Sequence, residues 1–251
     1  MTSKPFPLNL RYQPLEKISI PRPVDRIEYI KKQSVGLKVL DLGAYDETII
    51  RQNQHPSWRW LHFEIANVAQ EVLGVDSSSD LKINGRLKTP FGTTILYGTV
   101  EDLTEIFSCF KPDLIVAGEL VEHTPNTIEW IVRLSQLAPG TRFIATTPNA
   151  TSLINLLLSV IGRENCHEDH LHIYSYKTLV TLARKVNMNA IKIIPYYYDP
   201  HLFVGRWSSW LVPIIYSVNR LFLIPLQYVF PLTAFGLIID GFLNHSVLEG
   251  A

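Results

Sequence analysis

The sequence predicts an α/β fold built on a doubly wound, mostly parallel sheet with helices on both faces, and three observations carry that reading. Short apolar runs of β-type composition alternate with longer stretches whose apolar residues recur at helical spacing. Six such runs fall between residues 37 and 199, which is more than one layer of helices can cover. Three of them end in a glycine or an acid (Asp41 and Gly43, Asp76, Gly118 and Glu119), as expected of strands that present ligand-binding groups at their carboxyl ends. The chain of 251 residues is long enough to bury one large core, so the expected plan is an arm with a cap helix over 1–36, a core over 37–199 and an apolar lid over 200–251.

The elements follow in order. Residues 1–23 carry Pro5, Pro7, Pro14, Pro21 and Pro23, a density that suits an irregular arm rather than a helix. A short helix is expected over 24–33, with Ile27 and Ile30 three apart, Asp25 near its start and Lys31 and Lys32 near its end to match the dipole. Val39, Leu40 and Leu42 form the first strand, closing on Gly43. A helix over 57–70, a strand over 72–76, a polar stretch to Gly92, a strand over 94–97 and a helix over 100–110 come next. The fourth strand is the apolar run Leu114, Ile115, Val116 and Ala117, followed by a helix over 128–137. Pro139-Gly140 turns the chain into a strand over 142–146, and helices over 152–161 and 176–186 precede a sixth strand over 190–198.

Beyond residue 206 the composition changes. Residues 207–239 hold a single charge, Arg220, and 221–239 is an uncharged run of bilayer-spanning length. Pro213, Pro225 and Pro231 argue against one continuous spanning helix. The segment therefore reads as an interfacial or lid-like helical pair, with Trp207, Trp210, Tyr216 and Tyr228 at a headgroup boundary or over an apolar substrate, or else as a plain cap on the core.

Charge and cysteine content narrow the function. Lys plus Arg and Asp plus Glu number 23 each, so no basic field recommends nucleic acid as a partner. Two cysteines, Cys109 and Cys166, are too few and too far apart for a disulfide framework, and the proline-rich start has no continuous apolar signal core. A cytoplasmic protein is expected, with peripheral membrane contact through 207–239 as its one membrane feature.

Asp41 and Gly43 after the first strand and Asp76 after the second are the groups a nucleoside-binding sheet would use: a turn that lets the backbone approach, and an acid for ribose hydroxyls. Neither the dinucleotide glycine fingerprint nor a triphosphate loop is present. Glu119, Glu122 and His123 are the densest set of ligand types, and a helical turn would let all three converge on a divalent cation that lowers the pKa of a substrate hydroxyl. The insert from Cys166 to His172 lacks zinc-finger spacing; one of His167, His170 and His172 is better used as a fourth ligand, or else these histidines are solvated or capping residues.

The motifs VLDLGAYD, GVDSS, YGTVEDL, DLIVAGELVEH, LAPGTRFIATTPN and HEDHLHIYSYKTL, in this order over about residues 37–190, resemble those of class I S-adenosylmethionine-dependent methyltransferases. The resemblance implies a Rossmann-like sheet of seven strands, the last antiparallel at 235–242. It further implies S-adenosylmethionine (SAM) bound by Asp41, Gly43, Asp76, Val100, Glu101 and Glu119. The E-x-x-E-H spacing and the later Asp-His are similar to metal-dependent O-methyltransferases. By that likeness Glu119, Glu122, His123 and His170 hold Mg²⁺ or another divalent cation, and His123 and Glu119 act on the hydroxyl of a small, lipid-like or glycan-type acceptor. The first turn departs from the family, with Tyr45 and Glu47 in place of two glycines, and Thr99 stands where an acid is usual. A loop so altered leaves one alternative: a non-catalytic binding protein or membrane-associated scaffold.

Overall fold

Along the first strand, Val39 and Asp41 must face one side of a sheet and Leu40 and Leu42 the other, because strand side chains alternate. All four are buried, so this strand needs a layer on each side. The computed structural model, which describes residues 17–46, 60–99, 102–197 and 210–245, supplies both layers. Its strands are β1 (Lys38–Leu42), β2 (Glu71–Asp76), β3 (Arg86–Lys88), β4 (Thr94–Tyr97), β5 (Leu114–Gly118), β6 (Arg142–Pro148), β7 (Asn189–Tyr196) and β8 (Gly236–Phe242). They form one sheet in the order β3-β4-β2-β1-β5-β6-β8-β7. The pairs β4-β2, β2-β1, β1-β5 and β5-β6 are parallel; β8 runs antiparallel to both β6 and β7.

The sheet has eight strands, one more than expected. The addition is β3, antiparallel to β4, whose Leu87 stands between Arg86 and Lys88. Three residues with cations at both exposed positions carry no strand signature in sequence, yet they suit an edge, where charge discourages further pairing.

One face is covered by the helices Arg26–Gln33 and Leu61–Ala66, whose Ile30 and Ile65 pack with Val39, Leu114, Val116, Ile144 and Ile238. On the opposite face the helices Leu103–Cys109, Thr127–Leu137 and Tyr176–Lys185 bring Phe107, Leu134 and Leu179 against Leu40, Ile115 and Phe143. Side chains cap helix starts: Asp25 Oδ1 accepts from Glu28 N at 3.0 Å, and Ser175 and Thr178 form a capping box. The first helix is also clamped to the sheet. Arg142 donates to Asp240 through Nε (2.9 Å) and Nη2 (2.7 Å) and to Gln33 Oε1 (2.8 Å), while the Tyr29 hydroxyl donates to Asp240.

After β7 the chain forms the helices Leu211–Val218 and Ile224–Val229, joined by a wide π turn, Asn219–Leu223, and closed by a 3₁₀ turn, Pro231–Thr233. The prolines bend this segment rather than break it. Pro225 is the second residue of its helix and has no N–H to donate, and the wide turn before it absorbs the mismatch. No helix among the described residues is long and apolar enough to cross a membrane.

Candidate active site

The carboxyl ends of β1, β2, β4 and β5 lie side by side and enclose a cavity of about 270 Å³. Gly43, Asp76, Thr99, Leu120, His123 and Trp130 are among its walls. Gly43 has φ +76°, a left-handed turn that a side chain would strain, so the glycine is needed for backbone shape. The Asp76 carboxylate is oriented by two backbone amides, Tyr45 N at 3.0 Å and Ser78 N at 2.8 Å. It stands at the rim of a hollow otherwise walled by Leu42, Val75, Leu103 and Trp130, an apolar slot with a polar edge.

Asp41 is not among the cavity walls. Strand alternation sends it to the Val39 face, where it is buried and its Oδ2 lies 2.9 Å from His62 Nδ1; His62 Nε2 in turn meets Thr93 Oγ1 at 3.0 Å. The expected cofactor role of Asp41 gives way to a buried tie between β1 and the 61–66 helix. Val100, Glu101 and Glu47 lie outside the described residues.

Glu119 also leaves the cavity. Its φ is +53°, so the chain does not enter a helical turn at that point. The side chain swings to the face of the first helix. There Glu119 Oε1 accepts from Thr146 Oγ1 (2.8 Å) and from the Tyr196 hydroxyl (2.7 Å), with Arg26 Nη1 3.7 Å away. Burial and the Glu119 carboxylate both push the Tyr196 phenol up, so it stays protonated and donating.

Glu122 and His123 turn the other way and meet His170. One ligand atom from each lies within 4.8 Å of the others. Glu122 is wholly buried, with the Thr147 hydroxyl and its own backbone amide as the polar groups beside its carboxyl. Burial first, and the Glu119 charge second, push its carboxyl up to about 9. Its backbone carbonyl accepts from Leu171 N (2.9 Å) and His172 N (3.1 Å), which pins the 166–172 loop over the site. His123 Nδ1 lies 3.2 Å from the Asp169 carbonyl, which requires a proton on Nδ1 and leaves Nε2 as the basic nitrogen. The His170 ring is 4.6 Å from that of His123, and burial and the His123 charge lower its affinity for a proton. His172 points instead at the Pro125 carbonyl (3.3 Å), and the His167 side chain is 60% exposed. Of the three loop histidines, His170 is therefore the one brought to Glu122.

Residues 16–193 match the family model described as a methyltransferase domain. The chain belongs to the SAM-dependent methyltransferases. Solved structures share its fold. A SAM-dependent methyltransferase of Thermotoga maritima matches 87% of this chain and 87% of its own at 10% identity and a TM-score of 0.52. Phosphoethanolamine N-methyltransferase 2 of Haemonchus contortus, solved with SAM, matches 87% of this chain and 52% of its own at 13% identity and a TM-score of 0.50. The small RNA methyltransferase HEN1 matches 94% of this chain and 28% of its own at 14% identity and a TM-score of 0.52. No protein of curated function matches the chain in sequence.

Membership makes this methyltransferase an enzyme and assigns SAM as its methyl donor. Its altered first turn does not close the cavity from the described side. The Tyr45 hydroxyl bonds Asp80 Oδ2 at 3.0 Å, and its ring is not a wall of the hollow. Two partners of the site carried no readable signal. Thr147 turns its buried hydroxyl to the Glu122 carboxyl, and Tyr196 holds Glu119 from a strand 77 residues away. Both read as ordinary strand residues; the pairing of β6 with β5 delivers Thr147, and the pairing of β8 with β6 and β7 delivers Tyr196.

Proposed function

We propose that this methyltransferase moves the methyl group of SAM to a hydroxyl oxygen of a lipid-like acceptor, with a divalent cation held by Glu122, His123 and His170. The observation that carries the reading is Glu122. A carboxylate with no exposed surface is costly in an apolar interior, and ligation to a cation beside two imidazoles is an arrangement that offsets that cost. The donor set, one carboxylate and two histidines, fits a catalytic ion with open positions. When bound, such an ion lowers the pKa of a hydroxyl that approaches it.

The chain's own groups supply the rest. His123 belongs both to this cluster and to the cavity wall, so the cluster opens onto the hollow where Gly43 and Asp76 would hold the methionine end and the ribose of SAM. Leu103 and Trp130 offer apolar contact for the adenine. With Nδ1 turned to the Asp169 carbonyl, His123 offers Nε2 at that junction as the nitrogen that would hold the cation. Glu119 sits outside the reaction and fixes the turn after β5 through Thr146 and Tyr196.

A lipid-like acceptor is favoured by the surface beside the site. Leu156, Leu157 and Val160 on the helix Leu153–Val160 are exposed, as are Leu221, Phe222 and Phe230 in the C-terminal helical segment. Asn149 holds these parts together. Its Nδ2 donates to the carbonyls of Leu232 and Ala234 (2.9 Å each), and its Oδ1 accepts from Thr151, just before the helix Leu153–Val160. Exposed hydroxyls on this surface are satisfied within their own helices, Ser159 by Leu156 O and Ser217 by Pro213 O, which suits contact with acyl chains.

The test is methyl transfer from labelled SAM to a panel of hydroxylated isoprenoid and aromatic lipids, with and without EDTA. The reading expects an O-methyl product and at least a hundredfold loss on chelation, restored by added divalent metal. Transfer that is indifferent to EDTA would remove the cation, and transfer to nitrogen alone would remove the oxygen acceptor.

A further inference from the structure

The peptide group between Ala44 and Tyr45 is held at both ends. Its carbonyl, on buried Ala44, accepts from Trp60 Nε1 at 2.8 Å, and its N–H donates to Asp76 Oδ2 at 3.0 Å. The carbonyl and N–H of one trans peptide point in opposite directions in one plane, so a donor that fixes the first also aims the second. Trp60 thus stands behind the bond that orients Asp76, although it is not itself among the cavity walls. Its ring has little freedom. It is buried, edge-on to Phe91 with centroids 5.3 Å apart, and 5.7 Å from the ring of His62, which Asp41 and Thr93 hold in turn. Nor is there slack beneath the turn: a Cβ at Gly74 would stand 2.8 Å from Ala44 Cβ and 2.9 Å from His62 Cε1.

We propose that Trp60 is a positioning residue for SAM, acting on the ribose through the Ala44–Tyr45 peptide and Asp76. The proposal rests on the reading that Asp76 takes the ribose hydroxyls, and adds what keeps that acid in place in a turn with Tyr45 where the family carries a glycine. Two hydrogen bonds in series through one peptide polarise each other, so the indole also strengthens the bond to Asp76. Without the indole N–H, the Ala44 carbonyl is a buried acceptor that has lost its donor, and rotation of the peptide becomes the way to satisfy it. A rotated peptide would face Asp76 with an oxygen in place of an N–H, and the carboxylate would turn away from the ribose. Asp41 serves the same turn from the far side of the strand, by fixing the His62 ring against which Trp60 packs.

The experiment is a double-mutant cycle read by calorimetric titration of SAM into wild type, Trp60→Phe, Asp76→Ala and the double variant. Urea denaturation of each reports the fold, and Phe91→Leu is the packing control. Trp60→Phe keeps a ring in the slot and removes the N–H; it is expected to weaken SAM about fivefold, the worth of one hydrogen bond. In the Asp76→Ala background the same substitution should change affinity by less than twofold, because no carboxylate is left for the peptide to aim. Phe91→Leu should lower the urea midpoint and leave SAM affinity within twofold. Trp60→Phe binding SAM as wild type does, losses that multiply in the double variant, or an equal loss in Phe91→Leu would each overturn the role of Trp60 while leaving the ribose on Asp76. Equal affinity of wild type and Asp76→Ala would remove the ribose reading and this proposal with it. Should Trp60→Phe fail to fold, the wild type decides: hydrogen exchange of the Trp60 indole N–H is expected to slow at least tenfold at saturating SAM, and an unchanged rate would overturn the proposal.

Discussion

Glu122 gives the residue scale its sharpest test, because its burial is paid for by the fold and used by the chemistry. With its carboxyl raised from 4.5 to about 9, the metal-free protein holds Glu122 protonated at neutral pH while the unfolded chain would ionise it. The sign follows: this group's contribution to stability is whole below pH 4.5 and is lost as pH rises toward 9. Metal-free wild type is therefore expected to melt at a lower temperature at pH 8 than at pH 5.5. Glu122→Gln, which cannot ionise, should lack that decline, gain about 1–3 kcal/mol at pH 8 in EDTA, and lose cation binding. Thermal melts of both proteins at the two pH values would decide it; a variant less stable than wild type at pH 8 would show that ionisation of the carboxyl costs the fold nothing. That Glu122 and His123 would lie together could be read from their adjacency, whereas the choice of His170 among three loop histidines needed the fold, which brings its ring to His123. Glu119 was misread: spacing supposes a regular turn, and a left-handed residue after Gly118 sends the carboxylate to the opposite face. Asp41 shares the Val39 face of β1, where it bonds His62, while Leu42 on the other face is the residue that reaches the cavity.

At the scale of elements, the contact between β7 and β8 matters most to the site. Tyr196 pairs with Gly236, and a Cβ at Gly236 would run into the Tyr196 ring, whose hydroxyl holds Glu119. Gly236→Ala is expected to cost about 1–3 kcal/mol or more by overpacking and to loosen the turn that carries Glu122 and His123. Tyr196→Phe removes the hydroxyl without the clash and should cost about 1 kcal/mol. Urea denaturation of the two variants separates space from hydrogen bonding; equal losses would mean that the tight fit is unimportant. Gly236 looks like any strand glycine in sequence, and its role depends on a partner forty residues earlier. The parallel strands themselves were readable because burial on both faces leaves an uninterrupted apolar run. β3 was not, since an edge strand of three residues buries too little to leave a pattern.

Taken as a whole molecule, the sheet order explains why distant motifs meet. β1 lies between β2 and β5, so Gly43, Asp76 and His123 share one cavity although they span 80 positions. The sequence reading placed Gly43 and Asp76 on a common hollow with Glu119; the structure keeps the first two there and puts His123 in the place of Glu119. The apolar C-terminal segment was visible by composition alone, while its covering is a matter of what the surface meets. If it meets lipid, the protein should float with vesicles of phosphatidylcholine and phosphatidylglycerol, and Phe222→Glu should reduce the bound fraction at least fivefold without altering SAM affinity. Wild type that stays in the aqueous fraction would refute the lipid surface.

The central claim is that SAM occupies the hollow between Gly43 and His123 with its ribose on Asp76. Calorimetric titration of SAM into wild type and Asp76→Ala tests it most directly. The account predicts binding in the micromolar range for wild type and at least tenfold weaker binding for the variant, whose fold stays intact. No heat from wild type at millimolar SAM, or equal affinity in the two proteins, would contradict it.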